Sequence, residues 1–197
     1  MQMDDSRTPV KKLERLLVLY YDVFRESTDD GLYDEWKDSL FEGKFKVSKY
    51  TARRYINELI KTGRVIMEEI DEWSYTLHNK TFISLEEIND YIRIQEEKWC
   101  EKGSLTGEGR RLIHLIRLIG WLDLFLKNGM ISEVEIKRFY SNKSAKRTVQ
   151  RDFAFLRRIK IVPLYINRQK VISKENGLIQ WFYVADEKKR HRAEMTL

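Results

Sequence analysis

The stretch Ser144 to Ile159, SAKRTVQRDFAFLRRI, most narrows what this chain can fold into. Read as a helix turning about 100° per residue, it places Val149, Phe153 and Leu156 within about 60° of one another. Arg147, Arg151, Ala154 and Arg158 fall on the opposite side. Such a helix must pack one face and offer guanidinium groups on the other. The pattern also occurs earlier in the chain. Setting Thr148 over Thr51 aligns Val149 with Ala52, Gln150 with Arg53, Arg151 with Arg54, Phe153 with Ile56 and Leu156 with Leu59.

The surroundings of the two copies are alike. Before the first, Pro9 opens a helical pattern in which Val10, Leu13, Leu17, Tyr20 and Phe24 recur at spacings of three and four, widened by Leu16 and Tyr21. The polar break Ser27 to Gly31 separates it from a shorter helical segment, Leu32 to Phe41, with Leu32, Trp36, Leu40 and Phe41 facing in. Val47 to Val65 reads as a helix capped by Ser48 and stopped by Gly63. Ala52, Ile56 and Leu59 form its apolar stripe, with Tyr50, Arg54, Asn57 and Lys61 opposite and Arg53 on the flank. Val65 to Ile70 and Trp73 to Leu77 then read as two strands around a tight turn. Three helices followed by a hairpin make a winged helix.

Around the second copy, Ser84 and Glu87 form a capping box for a helix through Trp99 that belongs to neither wing. Lys102 to Gly109, KGSLTGEG, reads as a linker because of its glycines. The helix Arg110 to Lys127 holds more apolar surface than one core can absorb: Leu112, Leu115, Ile116, Ile119 and Leu126 suffice for an inward stripe. Ile113, Leu118, Trp121, Leu124 and Phe125 are then left over, each contributing about 1.5–3 kcal/mol if buried. That surplus predicts a further contact, with the 84 to 101 helix or with another copy of the chain. Ile131 to Phe139 reads as a short helix capped by Ser132, with Val134, Ile136 and Phe139 inward. Ile161 to Ile166 and Leu178 to Val184 read as strands joined through Asn176 and Gly177, and Asp186 to Leu197 as a frayed, charged tail.

The fold expected is therefore mainly α with small β wings: two tandem winged helix-turn-helix domains joined by a helical linker. Residues 1–83 form the first domain, 84–108 the connecting helix and linker, 109–185 the second domain and 186–197 the tail.

Charge separates the copies. Residues 1 to 100 hold 16 Lys and Arg against 21 Asp and Glu, a balance of −5, whereas residues 101 to 197 hold 21 against 10, a balance of +11. A concentrated positive half suits a polyanion. The 35% content of charged residues argues against a membrane span, and the most apolar run, Leu112 to Leu126, is broken by His114, Arg117 and Asp123. The acidic start MQMDDSR lacks signal-peptide character, so a cytoplasmic location is expected. Cys100 is the single cysteine, which rules out an intrachain disulfide. His78, His114 and His191 show no metal-ligand spacing, and no glycine-rich phosphate loop or paired nucleophile and base is found. An enzyme is not expected, nor a metal or other cofactor.

Ile131 to Leu156 resembles the winged helix-turn-helix at the front of DeoR-type and WYL-type bacterial transcription regulators. Arg147, Thr148, Val149, Arg151, Asp152, Phe153 and Leu156 match the basic signature of their recognition helix; Val47, Ser48, Thr51, Arg54, Ile56, Leu59 and Gly63 match more loosely in the first copy. The resemblance covers the helix-turn-helix units and not the connecting helices. Two departures stand out: Ala145 occupies the usual capping position, so Ser144 would cap one residue early, and no effector domain follows the second copy. The resemblance implies a regulator of transcription that binds double-stranded DNA.

An arginine fork pairs with guanine and glutamine with adenine, so Arg147, Gln150 and Arg151 are the candidate base readers. Lys143, Ser144, Lys146 and Thr148 are candidate phosphate contacts near the helix start, continued by Arg157, Arg158, Arg168 and Lys170 along helix and wing. Tyr50, Arg53, Arg54 and Lys61 form a second candidate DNA-facing set. The neighbouring wing brings Glu68, Glu69, Asp71 and Glu72, which suit a protein partner at the N-terminal domain better than phosphates. A homodimer through the 84 to 127 region is expected from the surplus apolar surface. The alternatives are a plasmid or phage replication initiator with tandem winged helices and a winged-helix protein-interaction adaptor.

Overall fold

The computed structural model describes residues 9–21, 48–71, 74–79, 81–140, 143–158, 166–172 and 179–185. The expected helix at 32–41, the break at 27–31, the start of the strand at 161–165, the turn through Asn176 and Gly177, Glu72 and the tail lie outside these residues. What is described is mostly helical with small antiparallel sheets. No described helix is long and apolar enough to cross a membrane.

The chain divides into two compact units, 1–81 with 99–116 and 82–98 with 117–197. This differs from the expected division: no separate linker runs from 84 to 108. The helix that follows Ser84 belongs with the C-terminal unit, and the expected linker belongs with the N-terminal one.

In the first unit, α1 spans Pro9–Leu19 and α2 spans Lys49–Lys61. Leu16, Leu17, Tyr20 and Tyr21 are buried on and just after α1 as expected, Leu19 is buried besides, and Leu13 is only half-buried. Ser48 caps α2 by accepting a hydrogen bond from the Thr51 amide at 3.3 Å, and Gly63 follows the helix at φ +68°. Among the described side chains of α2, Tyr55 and Leu59 are the buried apolar ones, while Ile56 is only half-buried. Strands β1 (Val65–Asp71) and β2 (Ser74–Asn79) pair antiparallel, from Val65 opposite Asn79 to Asp71 opposite Ser74.

The expected linker is ordered structure. Strands β3 (Cys100–Glu101) and β4 (Ser104–Leu105) close around Lys102 and Gly103, whose φ values of 51° and 78° are those of a two-residue primed turn. Gly103 meets that requirement without strain. Thr106 then caps the long helix that follows, its hydroxyl accepting the Gly109 amide at 3.0 Å. The glycines thus serve a turn and a helix start.

Helix α3 spans Leu85–Lys98 and the long helix α4 spans Gly107–Asn128, with the division between the units falling inside α4, between Ile116 and Arg117. Leu112, Ile113, Leu115, Ile116, Leu118, Ile119, Trp121, Leu122, Leu124 and Phe125 are all buried. The surplus apolar face is covered within the chain. One reason is visible at Gly120, where a Cβ would lie 2.7 Å from Ile88 Cδ1 on α3, so the missing side chain lets the two helices meet closely. This is the first of the two contacts expected, and the surface that motivated a homodimer through 84–127 is not exposed. Asp123, fully buried in the same helix, accepts the Phe82 amide at 2.9 Å, which accounts for a carboxylate in an apolar run. The capping box forms as expected: Ser84 Oγ accepts the Glu87 amide at 3.1 Å and the Glu87 carboxylate accepts the Ile83 amide at 2.8 Å.

The second unit continues with β5 (Met130–Ser132), α5 (Glu133–Phe139), α6 (Lys143–Arg158), β6 (Ile166–Ile172) and β7 (Ile179–Ala185). Its sheet has the order β5-β7-β6, all antiparallel, with Ile131 opposite Tyr183 and Arg168 opposite Tyr183 on the other side. Strand β5 takes residues expected to open a helix, and β6 begins where the expected strand 161–166 was to end. Ser132 caps α5 as expected. Val134, expected to face in, is exposed, and Ile136 is the buried apolar residue of that helix.

Candidate nucleic-acid interface

Helix α6 is anchored through Phe153. Its ring lies 5.0 Å from Trp121, 5.5 Å from Phe125 and 4.6 Å from Tyr183, each edge to face, so one side chain ties the helix to α4 and to the sheet. Contacts of this kind are worth about 0.5–1.5 kcal/mol each beyond simple burial. Val149 and Leu156 complete the buried stripe as expected.

A polar contact fixes the rotation of the same helix. Asp152, 1% exposed, accepts two guanidinium N–H groups of Arg117, through Nε to Oδ2 and through Nη2 to Oδ1 at 3.1 Å, and the Trp121 indole N–H at 3.2 Å. A buried carboxylate is tolerated when its partners are charged and well aimed. The sequence pattern singled out Asp152, but not this role, because its partners lie a helix away on α4.

With one face locked, the other is presented to solvent. Lys146, Arg147, Gln150, Arg151, Ala154, Arg157 and Arg158 are exposed, and Thr148 is half-buried. The three candidate base readers therefore share one open surface. Arg157 Nε donates to the Phe153 carbonyl at 3.3 Å, and the Arg158 guanidinium lies 5.4 Å from the centre of the Phe155 ring, so both lean back on their own helix. Lys143 and Ser144 are in the first turn of α6. Ser144 is thus inside the helix and does not cap it one residue early.

The β6–β7 strands differ more from expectation. Arg168 is pinned: Nε and Nη2 donate to Glu133 Oε2 at 3.2 and 2.7 Å, and the guanidinium sits 4.1 Å over the Trp181 ring. Lys137 adds an ion pair to Glu133 Oε1 at 3.4 Å. Burial pushes the Glu133 carboxyl up, but the hydrogen bonds and charges of Arg168 and Lys137 outweigh it and hold the group below its usual range. Lys170 is exposed, opposite Trp181 in the register. Sequence reading missed Glu133 and Lys137, since a carboxylate in a first turn and a lysine one turn on are ordinary helix composition.

In the first unit, Tyr50 is 78% exposed and Arg53 and Arg54 are exposed beside it. Lys61 departs from this set, because its ammonium donates to Glu108 at 2.8 Å; that hydrogen bond raises the lysine pKa and lowers the carboxyl pKa. Glu58, nearly buried, is held by Lys12 at 3.0 Å and by Arg111 Nη2 at 3.0 and 2.9 Å. Tyr55 occupies the position equivalent to Asp152, and its hydroxyl accepts a hydrogen bond from Arg15 at 3.3 Å. In each unit an arginine from a preceding helix, Arg15 or Arg117, thus holds the same position of the basic helix. Glu68, Glu69 and Asp71 lie on β1. Among the described residues, no group of three or more His, Cys, Asp or Glu is placed to hold a metal ion. No family model, curated protein or solved structure matches the chain.

Proposed function

We propose that the chain is a cytoplasmic regulator that binds double-stranded DNA in a sequence-specific way, laying α6 in the major groove. The observation that carries the reading is the division of α6 into a face locked by Phe153 and Asp152 and an open face bearing Arg147, Gln150 and Arg151. A helix fits the major groove, and these side chains can pair with the acceptors and donors of base edges only if the helix cannot roll. The order helix, strand, helix, helix, strand, strand from α4 to β7 supports a winged-helix assignment for the second unit. The pairing of α2 with the β1–β2 hairpin supports a tandem assignment. Lys146 and Thr148 take the phosphate role near the helix start.

Selection from a random duplex library tests the reading. An enriched motif is expected, with its preference relaxed by Arg147→Ala and Arg151→Ala. A log-log salt slope near −4 to −5 is expected if about five phosphates are neutralised. Absence of enrichment by the folded protein counts against sequence-specific binding. Direct repeats would favour a replication initiator, while weak DNA affinity with intact binding of a protein would favour an adaptor. Because the apolar side chains of α4 are buried within the chain, a homodimer is not needed to cover them.

A further inference from the structure

A cleft of about 220 Å³ lies where α5, α6 and the β6–β7 strands meet, and it gathers three cations, Lys137, Lys146 and Arg168, around the carboxylate of Glu133. Gln150 and Tyr183 form part of its wall. The cleft is therefore continuous with the open face of α6 through Lys146 and Gln150. Its charge is unbalanced: among the described residues lining it, three positive groups meet one negative group.

Arg168 is held in place from two sides, by Glu133 and by the Trp181 ring. Only Nε and Nη2 are used on Glu133, so the guanidinium keeps donors for a second oxyanion. A planar fork already ordered in this way loses little freedom on meeting a phosphate. Glu133 itself presents two oxygens to Arg168 and Lys137, much as a phosphate would.

We propose that this cleft seats one DNA backbone phosphate and that Glu133 is its internal competitor, holding Arg168 and Lys137 in the free protein and ceding them when the phosphate arrives. The proposal rests on the DNA-binding reading and adds to it a residue that restrains affinity. Removing the Glu133 charge should strengthen binding through Arg168, rather than merely remove a distant repulsion.

The experiment measures binding of the full chain to a fluorescein-labelled duplex of mixed sequence by anisotropy across a salt series. Glu133→Gln is expected to tighten binding about threefold or more while leaving the log-log salt slope unchanged, because the same phosphate is neutralised in both complexes. Glu135→Gln, an exposed carboxylate on the same helix, supplies the through-space effect alone and should change affinity much less. In an Arg168→Ala background the gain from Glu133→Gln should shrink, because only Lys137 is left to be released. Equal gains from Glu133→Gln and Glu135→Gln, or a gain undiminished without Arg168, would overturn the proposal while leaving DNA binding intact. A wild-type chain that binds no duplex even at low salt would overturn both readings. If Glu133→Gln does not fold, Lys137→Gln decides: a slope shallower by about 0.9 supports the cleft, and a slope matching that of Arg138→Gln refutes it.

Discussion

Replacing Asp152 by alanine removes the acceptor that serves two Arg117 N–H groups and the Trp121 indole. The Arg117 side chain is only 16% exposed and Trp121 is fully buried, so neither donor is free to recover its hydrogen bonds from water. Breaking a buried pair from one side costs about 3–5 kcal/mol, most of it the penalty of the stranded partner. With a urea dependence of about 2 kcal/mol per molar, the unfolding midpoint of the second unit should fall by roughly 2 M. Circular dichroism of the full chain in urea measures it. Asp152→Asn should lie between the wild type and Asp152→Ala, because it retains an oxygen for Trp121 without the charge. The combined Arg117→Met and Asp152→Leu variant should recover much of the loss, since it leaves no uncompensated charge. A cost below about 1 kcal/mol for Asp152→Ala, or a double variant no better than the single one, would refute the account of a buried lock.

Three further outcomes follow from the same geometry. Gly120→Ala places a methyl group 2.7 Å from Ile88 Cδ1 and Cγ1; displacement of Ile88 should outweigh the roughly 1 kcal/mol gain in helix propensity, giving a net loss of about 1 kcal/mol in thermal unfolding. In the folded chain Arg168 and Lys137 hold the Glu133 carboxyl below its ordinary value of 4.5. Its contribution is therefore complete above the unfolded value and lost as pH falls through the folded one, so the stability gap between wild type and Glu133→Gln should narrow on acidification below about pH 4.5. Tyr140 is pushed up to about 12, chiefly by burial. Ultraviolet titration of the folded protein should show late tyrosine ionisation that is reduced in Tyr140→Phe and not abolished, since burial also raises Tyr183, and the stability that Tyr140 confers should be lost as pH rises from about 10 through about 12.

Periodicity made the helices legible, because a buried stripe repeats every three or four residues whatever it packs against. Val149, Phe153 and Leu156 could be placed inside, and Arg147, Gln150 and Arg151 outside, on that ground alone. Periodicity says nothing about Lys102 to Gly109, where glycines supply a primed turn and a helix start instead of a linker. It misplaced Val134, since a helix of only seven residues gives a stripe too short to orient. Strand β5 was also hidden: three residues become a strand only because β7 offers its free edge.

The sequence by itself determined that α6 has an apolar and a basic face and that its pattern occurs twice, because side-chain spacing is fixed by the helix repeat. Only the tertiary structure decided which charges remain available to a partner. Arg168 and Lys61 look as free as Arg147 in the sequence, yet Glu133 and Glu108 claim them across 35 and 47 positions of chain. Coulomb attraction acts on distance in space, and folding sets that distance.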